Sequence, residues 1–260
     1  MKKLVIAIAA VLMALTASAA DTVTKDFDFE GFQGLFVKGP FEVIATQGTE
    51  YSVSVEMPSA YAENLYVKEK GGVLCFEFDG QLSFKDKLVS KKNRKCIIKV
   101  TMPVMTSLTL SGSSKFRSDD TFVALMSDFV LQVNGASYVT SLSIKAAEVE
   151  INVSGASNVV AEFDATDIEA EVAGASDLVL TGDSDEFDVE VSGASKLYAD
   201  GLTARKVDVE CSGASSAKVN VQKSLDVKLT GASSCTYTGS DDLKMGSIKV
   251  SGASKLIKTE

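Results

Sequence analysis

The sequence predicts an all-β protein whose main part is a parallel β-helix, a β-solenoid with about 20 residues in each coil. Three observations lead to this fold class. A short glycine-containing motif recurs along the chain, apolar and polar residues alternate on both sides of each motif, and only 3 of the 260 residues are proline. We expect a right-handed coil and an N-terminal β-rich cap in front of the repeats.

Residues 1–20 are predicted to be a secretory signal peptide. Two lysines precede the apolar run 4–15, which is too short to span a bilayer, and small residues follow it. We expect cleavage after Ala19 or Ala20, and no cysteine follows there to carry a lipid anchor. The protein is therefore expected in the periplasm, on the outer-membrane surface or outside the cell, without a transmembrane span.

The composition narrows the classes of function. A formal net charge of −9 and a sequence pI of about 4.7 argue against a nucleic-acid partner, because phosphate binding needs a basic face. The sequence has no histidine, which excludes catalytic triads that use imidazole and histidine-ligated metal sites. No cofactor is expected.

Residues 21–103 are predicted to form the cap. Alternating runs at 41–45, 51–55, 73–78 and 96–101 indicate strands, separated by glycine-containing turns at 39–40, 48–49 and 71–72. The first coil of a solenoid needs such a cover against edge-to-edge pairing. Cys75 and Cys96 lie in this region and could face each other.

Residues 104–260 carry the repeat. The motif G-[AS]-S places glycines at 112, 135, 155, 174, 193, 213, 231 and 252, with spacings of 18 to 23 residues. Side chains two and four positions before each glycine are apolar and those between them polar, as in a strand with one buried face. The period is too short for a β-α unit, so strands of successive coils should stack ~4.8 Å apart.

The serine two positions after each glycine is predicted to form a buried structural ladder. Its members are Ser114, Ser137, Ser157, Ser176, Ser195, Ser215, Ser233 and Ser254. Each hydroxyl can donate one hydrogen bond and accept another, whereas a nucleophilic serine would need a base that the motif lacks. Cys211, two positions before a motif glycine, and Cys235, four positions after one, are predicted to be buried free thiols unless the chain folds back sharply at the motif.

Acidic residues fill two outward columns before the glycine. One column holds Glu150, Glu169, Asp188, Asp208 and Asp226, and the other holds Glu171, Glu190 and Glu210. The simplest interpretation is a solvated surface, and the alternatives are weak calcium binding or docking of a basic partner.

A basic segment at 85–95 is either a mobile loop or a contact for anionic polysaccharide or lipid headgroups. The candidate interaction surface therefore combines acidic and basic side chains. Its members are Glu169, Glu171, Asp188, Glu190, Asp208, Glu210, Lys91, Lys92, Arg94 and Lys95. No catalytic, cofactor-binding or metal-binding residue is predicted.

Several segments resemble a known family. They are FQGLFVKGPFEVIATQGTEYSVSVE at 32–56, LYVKEKGGVLCFEF at 65–78, CIIKVTMPVMTSLTLSGSSKF at 96–116, and the repeated V-x-V-S-G-A-S-x-V strings. The chain resembles the auto-transporter adhesin, head GIN domain family of exported Gram-negative proteins. The resemblance implies an all-β, β-helix-like fold and supplies no established activity and no catalytic residues. The family name suggests adhesion.

The sequence thus favours an exported, non-enzymatic cell-envelope protein with an adhesin-like binding or structural role and a protein or glycan partner. The first alternative is a periplasmic scaffold or stress-related protein with protein partners. A polysaccharide-active enzyme is less favoured, because the acidic pairs at 119–120, 183–185 and 241–242 lie between coils, where turns favour aspartate. The edge of the last coil could also pair with a second copy to form a homodimer.

Overall fold

The computed structural model describes residues 22–79 and 95–259, and β-strands make up most of them. The strands are β1 (Thr22–Phe27), β2 (Gly34–Gly39), β3 (Phe41–Gln47), β4 (Ser52–Pro58), β5 (Leu65–Lys70), β6 (Val73–Phe78), β7 (Cys96–Met102), β8 (Ser107–Gly112), β9 (Lys115–Ala124), β10 (Phe129–Val133), β11 (Tyr138–Ala146), β12 (Glu148–Val153), β13 (Asn158–Val172), β14 (Asp177–Val191), β15 (Lys196–Cys211), β16 (Ser216–Leu229), β17 (Ser234–Thr238), β18 (Lys244–Val250) and β19 (Lys255–Thr259). A 3₁₀ turn spans Ser59–Tyr61. No helix in the described ranges is long and apolar enough to cross a membrane.

Parallel pairing joins the strands into two ladders. The upstream ladder precedes the glycine motifs and runs β6, β2, β8, β10, β12, the C-terminal halves of β13 to β16, and β18. The downstream ladder follows the motifs and runs β7, β3, β9, β11, the N-terminal halves of β13 to β16, β17 and β19. Each passage through both ladders completes one coil. The predicted all-β solenoid with about 20 residues per coil is confirmed.

The repeated glycines form a column at the bend between the two ladders. Their φ angles lie between +72° and +84°, a left-handed conformation that L side chains rarely adopt. The glycines also touch: a β-carbon built on Gly174 would lie 2.5 Å from the carbonyl oxygen of Gly155. That oxygen accepts a hydrogen bond from the Ala175 N–H at 2.8 Å, so the ladder of backbone bonds continues through the bend. Conformation and close approach together require glycine here.

The first coil along the chain is not the first coil in space. β2 pairs with β6 on one side and β8 on the other, so that Leu35 lies between Leu74 and Leu108. β3 lies between β7 and β9 in the same way. Residues 34–47 therefore form a coil of the solenoid, within the stretch that we predicted as a cap.

Antiparallel strands cover the N-terminal end. β1 pairs with β4, β4 with β7, and β5 with β6. The ring of Phe78 stacks on Phe41 at 4.6 Å between centroids, and Tyr61 meets Phe78 edge-on at 5.9 Å. This end of the hydrophobic core is consequently sealed.

The inward columns form one hydrophobic core that runs along the coils. At the other end, the inward side chains of β18 have no coil beyond them within the described residues. Met245, Ile248 and Val250 are 42%, 40% and 44% exposed, although their in-register neighbours in β16 are buried. The last described coil therefore presents an open apolar edge.

The cysteines occupy both inward and outward positions. Cys211 and Cys235 are free, buried thiols, as predicted. The chain does fold back at the motif, so the two thiols lie close enough for Cys211 to influence the pKa of Cys235. The bridge considered between Cys75 and Cys96 is not formed, because Cys75 alternates outward between buried Leu74 and Phe76 whereas Cys96 points into the core.

Candidate functional site

The outward surface of the upstream ladder carries the predicted acidic columns. In-register pairing aligns Glu150, Glu169, Asp188, Asp208 and Asp226, and aligns Glu171, Glu190 and Glu210. These eight residues are the acidic face. Strand alternation produces it, because Ile151, Ala170, Val189 and Val209 between them point into the core. A shallow groove with polar walls follows the face across several coils.

Two aspartates in the middle of the face have raised pKa values, because partial burial and neighbouring carboxylates both disfavour their charge. The pKa of Asp188 is raised, first by partial burial and then by Glu186, Glu169 and Asp167. The pKa of Asp208 is raised by burial and by Asp188, Asp226 and Glu210, against a smaller opposite effect of Lys228. Among the described residues neither carboxylate is in an ion pair, although Lys228 lies close enough to Asp208 to oppose the rise in its pKa.

Two lysines that were not predicted as part of the surface neutralise carboxylates at and beside one end of the acidic face. The Lys228 Nζ lies 2.6 Å from Glu210 Oε2, and Lys206 pairs with Glu186. Asp226 accepts a hydrogen bond from the Ser247 backbone N–H at 2.6 Å. The carboxylates of the face that have no ion pair among the described residues therefore lie mainly in β12 to β14, together with Asp208 in β15. In one column the side-chain charge changes from negative at Glu190 to positive at Lys228. This change of sign in the sequence would have shown where the acidic face ends.

Within the described residues, the basic part of the predicted interaction surface is represented by Lys95. Lys91, Lys92 and Arg94 lie outside the described residues. Lys95 precedes β7 in the downstream ladder, and its Nζ is 3.5 Å from Glu42 Oε2. The structure therefore does not bring Lys95 together with Glu169, Glu171, Asp188, Glu190, Asp208 and Glu210.

The serine row lies inside the bend and is closed to solvent. Its members from 114 to 233 are 0–2% exposed, and Ser254 in the last coil is half-buried. The Ser157 N–H donates to Ser176 Oγ at 3.3 Å, and the Ser176 N–H donates to Ser195 Oγ at 3.3 Å. Other hydroxyls donate to the carbonyl three residues earlier, as Ser215 does to Ser212 at 2.8 Å. The row ties backbone bends together from coil to coil.

The described residues contain no group of three or more cysteine, aspartate or glutamate side chains placed to hold a metal ion. The arrangement on the acidic face is instead an open, repeated array of carboxylates on a rigid sheet. Such an array can attract and orient a positively charged surface.

Comparisons with known proteins match this fold over most of its length. A family profile described as "Putative auto-transporter adhesin, head GIN domain" matches residues 31–240. A "putative adhesin" from Parabacteroides merdae has a TM-score of 0.79 at 17% identity, covering 93% of this chain and 98% of its own. A "putative lipid binding protein" from Parabacteroides distasonis has a TM-score of 0.80 at 17% identity, covering 93% of this chain and 98% of its own. A "putative adhesin" from that organism has a TM-score of 0.74 at 19% identity, covering 93% of this chain and 95% of its own. At these identities the structures show the fold alone, and no curated protein matches the chain.

Proposed function

Because the chain belongs to the auto-transporter adhesin, head GIN domain family, we propose that it is an exported, non-enzymatic cell-envelope protein with an adhesin-like binding role. The family match over residues 31–240 and the structures described as adhesins support a binding function. The basic residues and short apolar run at the N-terminus support export.

The acidic face is the observation that carries the binding role. Its carboxylates repeat at the coil spacing of ~4.8 Å on a sheet that cannot easily rearrange. Burial, and after it repulsion from neighbouring carboxylates, raises the pKa of Asp188 and of Asp208, and neither residue is in an ion pair within the described ranges. A basic partner would relieve that repulsion, so the partner that fits is a protein with a lysine- and arginine-rich surface.

A lipid partner fits this face less well. One structural neighbour is described as a lipid binding protein. Stacked carboxylates such as Glu169, Asp188 and Glu190 would repel the anionic headgroups of a membrane surface. A basic protein surface is therefore the better match for these columns.

A second copy of the chain is the proposed partner for the open edge of β18 and β19. The side chains of Met245, Ile248 and Val250 would be buried between the two copies, while the outward Lys244 and Lys249 would stay in solvent. Pairing along the strand edge would also satisfy backbone groups that face no further strand in the described ranges.

The test of location is protease treatment of intact cells, followed by immunoblotting. Loss of the protein supports surface display, whereas protection until the outer membrane is permeabilised contradicts an adhesin role.

The test of the acidic face compares the cell binding of the labelled wild-type protein with that of the variant Glu169→Gln/Asp188→Asn/Glu190→Gln.

The control variant Glu30→Gln/Glu50→Gln/Glu63→Gln makes the same charge change at exposed positions away from the face. We expect the first variant alone to lose binding. Equal binding by both variants would remove the acidic face from the proposal.

A further inference from the structure

The outward surface of the downstream ladder carries lysines as well as acidic residues, unlike the acidic face. Three positions after the glycine, pairing aligns Lys115, Tyr138, Asn158, Asp177 and Lys196. Five positions after the glycine, it aligns Val160, Val179, Tyr198 and Lys218. Neither row is uniform, but together they place tyrosines, valines and lysines on one flat surface, with Asp177 in register beside Lys196.

The two tyrosines mark the ends of an apolar strip that is exposed at Tyr138 and Val160 and half-buried at Val179 and Tyr198. Tyr138 is 39% exposed and Val160 is 46% exposed, and Val179 follows Val160 in register. Tyr198 completes the strip three coils beyond Tyr138, ~14 Å along the solenoid axis. Diagonal neighbours across strands are within reach of aromatic side chains, so Tyr138 and Val160 form a continuous surface.

A lysine accompanies each tyrosine. The Lys115 Nζ lies 5.7 Å from the ring centroid of Tyr138, and the Lys218 Nζ lies 5.5 Å from that of Tyr198. In the part of the chain that the structure describes, Lys115, Lys196 and Lys218 are in no ion pair. Their ammonium groups are therefore available to an anionic ligand.

We propose that this surface, the tyrosine–lysine face (Tyr138, Val160, Val179 and Tyr198 with Lys115, Lys196 and Lys218), binds a linear anionic polysaccharide. The face is open and elongated, which suits an extended chain better than a small ligand that needs a concave pocket. Sugar rings stack on the tyrosines, and carboxylates along the chain pair with the lysines. This site lies on a different ladder from the acidic face and does not depend on the proposed protein partner.

A glycan fits better than a single-stranded nucleic acid, which also combines stacking with negative charge. The chain carries a formal net charge of −9, and a nucleic acid presents a phosphate at every unit. Long-range repulsion opposes a nucleic acid and a uronic-acid polymer alike, because each carries about one negative charge per unit, so charge alone does not choose between them. The signal peptide predicted at residues 1–20 favours the glycan, because it implies a ligand outside the cytoplasm.

Affinity electrophoresis in gels that contain polygalacturonate, a linear polymer of uronic acid, tests the proposal. We expect retardation by polygalacturonate and none by neutral dextran. The variant Tyr138→Ala/Tyr198→Ala should bind about tenfold more weakly, while Tyr138→Phe/Tyr198→Phe keeps the rings and binds like the wild type. The control is Tyr66→Ala, since Tyr66 is 48% exposed and lies beneath Lys68 at 4.8 Å but outside this face.

The variant Lys196→Gln/Lys218→Gln, at two exposed positions, tests the charges if the tyrosine variant does not fold. It should weaken binding and reduce its dependence on salt. Absence of retardation by polygalacturonate, equal retardation by dextran, or unchanged binding by folded face variants would overturn the proposal. Displacement of polygalacturonate by an equal mass of single-stranded DNA would replace the glycan with a nucleic acid.

Discussion

Gly112 lies directly against Gly39. A β-carbon on Gly112 would be 3.3 Å from the Gly39 nitrogen, and the two residues are in register between β2 and β8. The column of glycines thus extends past the first G-[AS]-S motif to a coil that lacks it, and Pro40 takes the place of Ser113. The Ser114 hydroxyl donates to the Gly39 carbonyl at 2.7 Å and joins the serine row to this coil.

The glycine column predicts a large cost for Gly174→Ala. The added β-carbon would meet the Gly155 carbonyl oxygen at 2.5 Å in addition to the cost of its φ of +82°. Gly72 has the same φ, with nothing within 4 Å of its β-carbon position. We expect Gly72→Ala to lose about 1 kcal/mol of unfolding free energy and Gly174→Ala about 3 kcal/mol, measured by urea denaturation. Similar losses would show that conformation rather than stacking requires glycine.

The serine row predicts unequal effects of two alanine substitutions. Ser157 Oγ accepts from the Ser137 N–H at 3.4 Å and donates to the Ser154 carbonyl at 2.9 Å, whereas Ser137 Oγ is buried without a hydrogen-bond partner. Ser157→Ala should lower the unfolding free energy by about 1–3 kcal/mol. Ser137→Ala should be neutral or slightly stabilising. A cost for Ser137→Ala as large as that for Ser157→Ala would contradict these hydrogen bonds.

The acidic face predicts that mild acid stabilises the fold. The pKa values of Asp188 and Asp208 are raised in the folded state, so their ionised forms oppose folding above those values. As the pH falls, both carboxylates gain protons in the folded state at a higher pH than they do in the unfolded chain. The folded protein therefore becomes more stable as the pH falls through the folded-state pKa values.

Thermal melting between about pH 7 and about pH 4.5 measures this effect. The variant Asp188→Asn/Asp208→Asn should be more stable than the wild type at the higher pH and lose that advantage at the lower one. An advantage that is the same at both pH values would contradict the assignment.

Burial predicts that the core thiols react slowly. It raises the pKa of Cys211 to about 11 and, with the nearby Cys211, that of Cys235 to about 12. In folded Cys75→Ser protein at about pH 8, we expect negligible alkylation of Cys211 and Cys235, with full reaction after unfolding. Mass spectrometry of the alkylated peptides measures the extent of reaction at each thiol. Rapid labelling of either thiol in the folded protein would show that the coils open locally.

The open edge of β18 predicts weak self-association that strengthens with salt. Burial of Met245, Ile248 and Val250 favours a dimer, while Lys244 and Lys249 of the two copies repel each other until salt screens them. Sedimentation velocity over a range of concentrations should show this behaviour, and Val250→Lys should abolish it. A protein that stays monomeric at high concentration and high salt would exclude this dimer.

The repeat allowed the solenoid and the acidic face to be predicted because strands of equal pattern stack in register. Glu169 and Asp188 had to meet once their coils paired. The coil at 34–47 could not be predicted, because its bend reads Gly39-Pro40 and its spatial neighbours are distant in sequence. The tyrosine–lysine face was also missed, since Tyr138 and Tyr198 lie in different rows and the row of Tyr138 reads as irregular by itself.

The position of β2 and β3 between β6–β7 and β8–β9 divides the solenoid into two parts. In the first part the contacts join strands that are distant in sequence, and in the second each coil contacts the coil before it. The coil at 34–47 stays open on one side until the chain has passed through β4 and β5 and returned. Its contacts span long sequence distances, which slows their formation. From β10 onward each coil needs only the one before it, so assembly proceeds like the growth of a filament. Duplication or loss of whole coils in that part would change the number of stacked coils and leave the strand pairs of the coil at 34–47 unchanged.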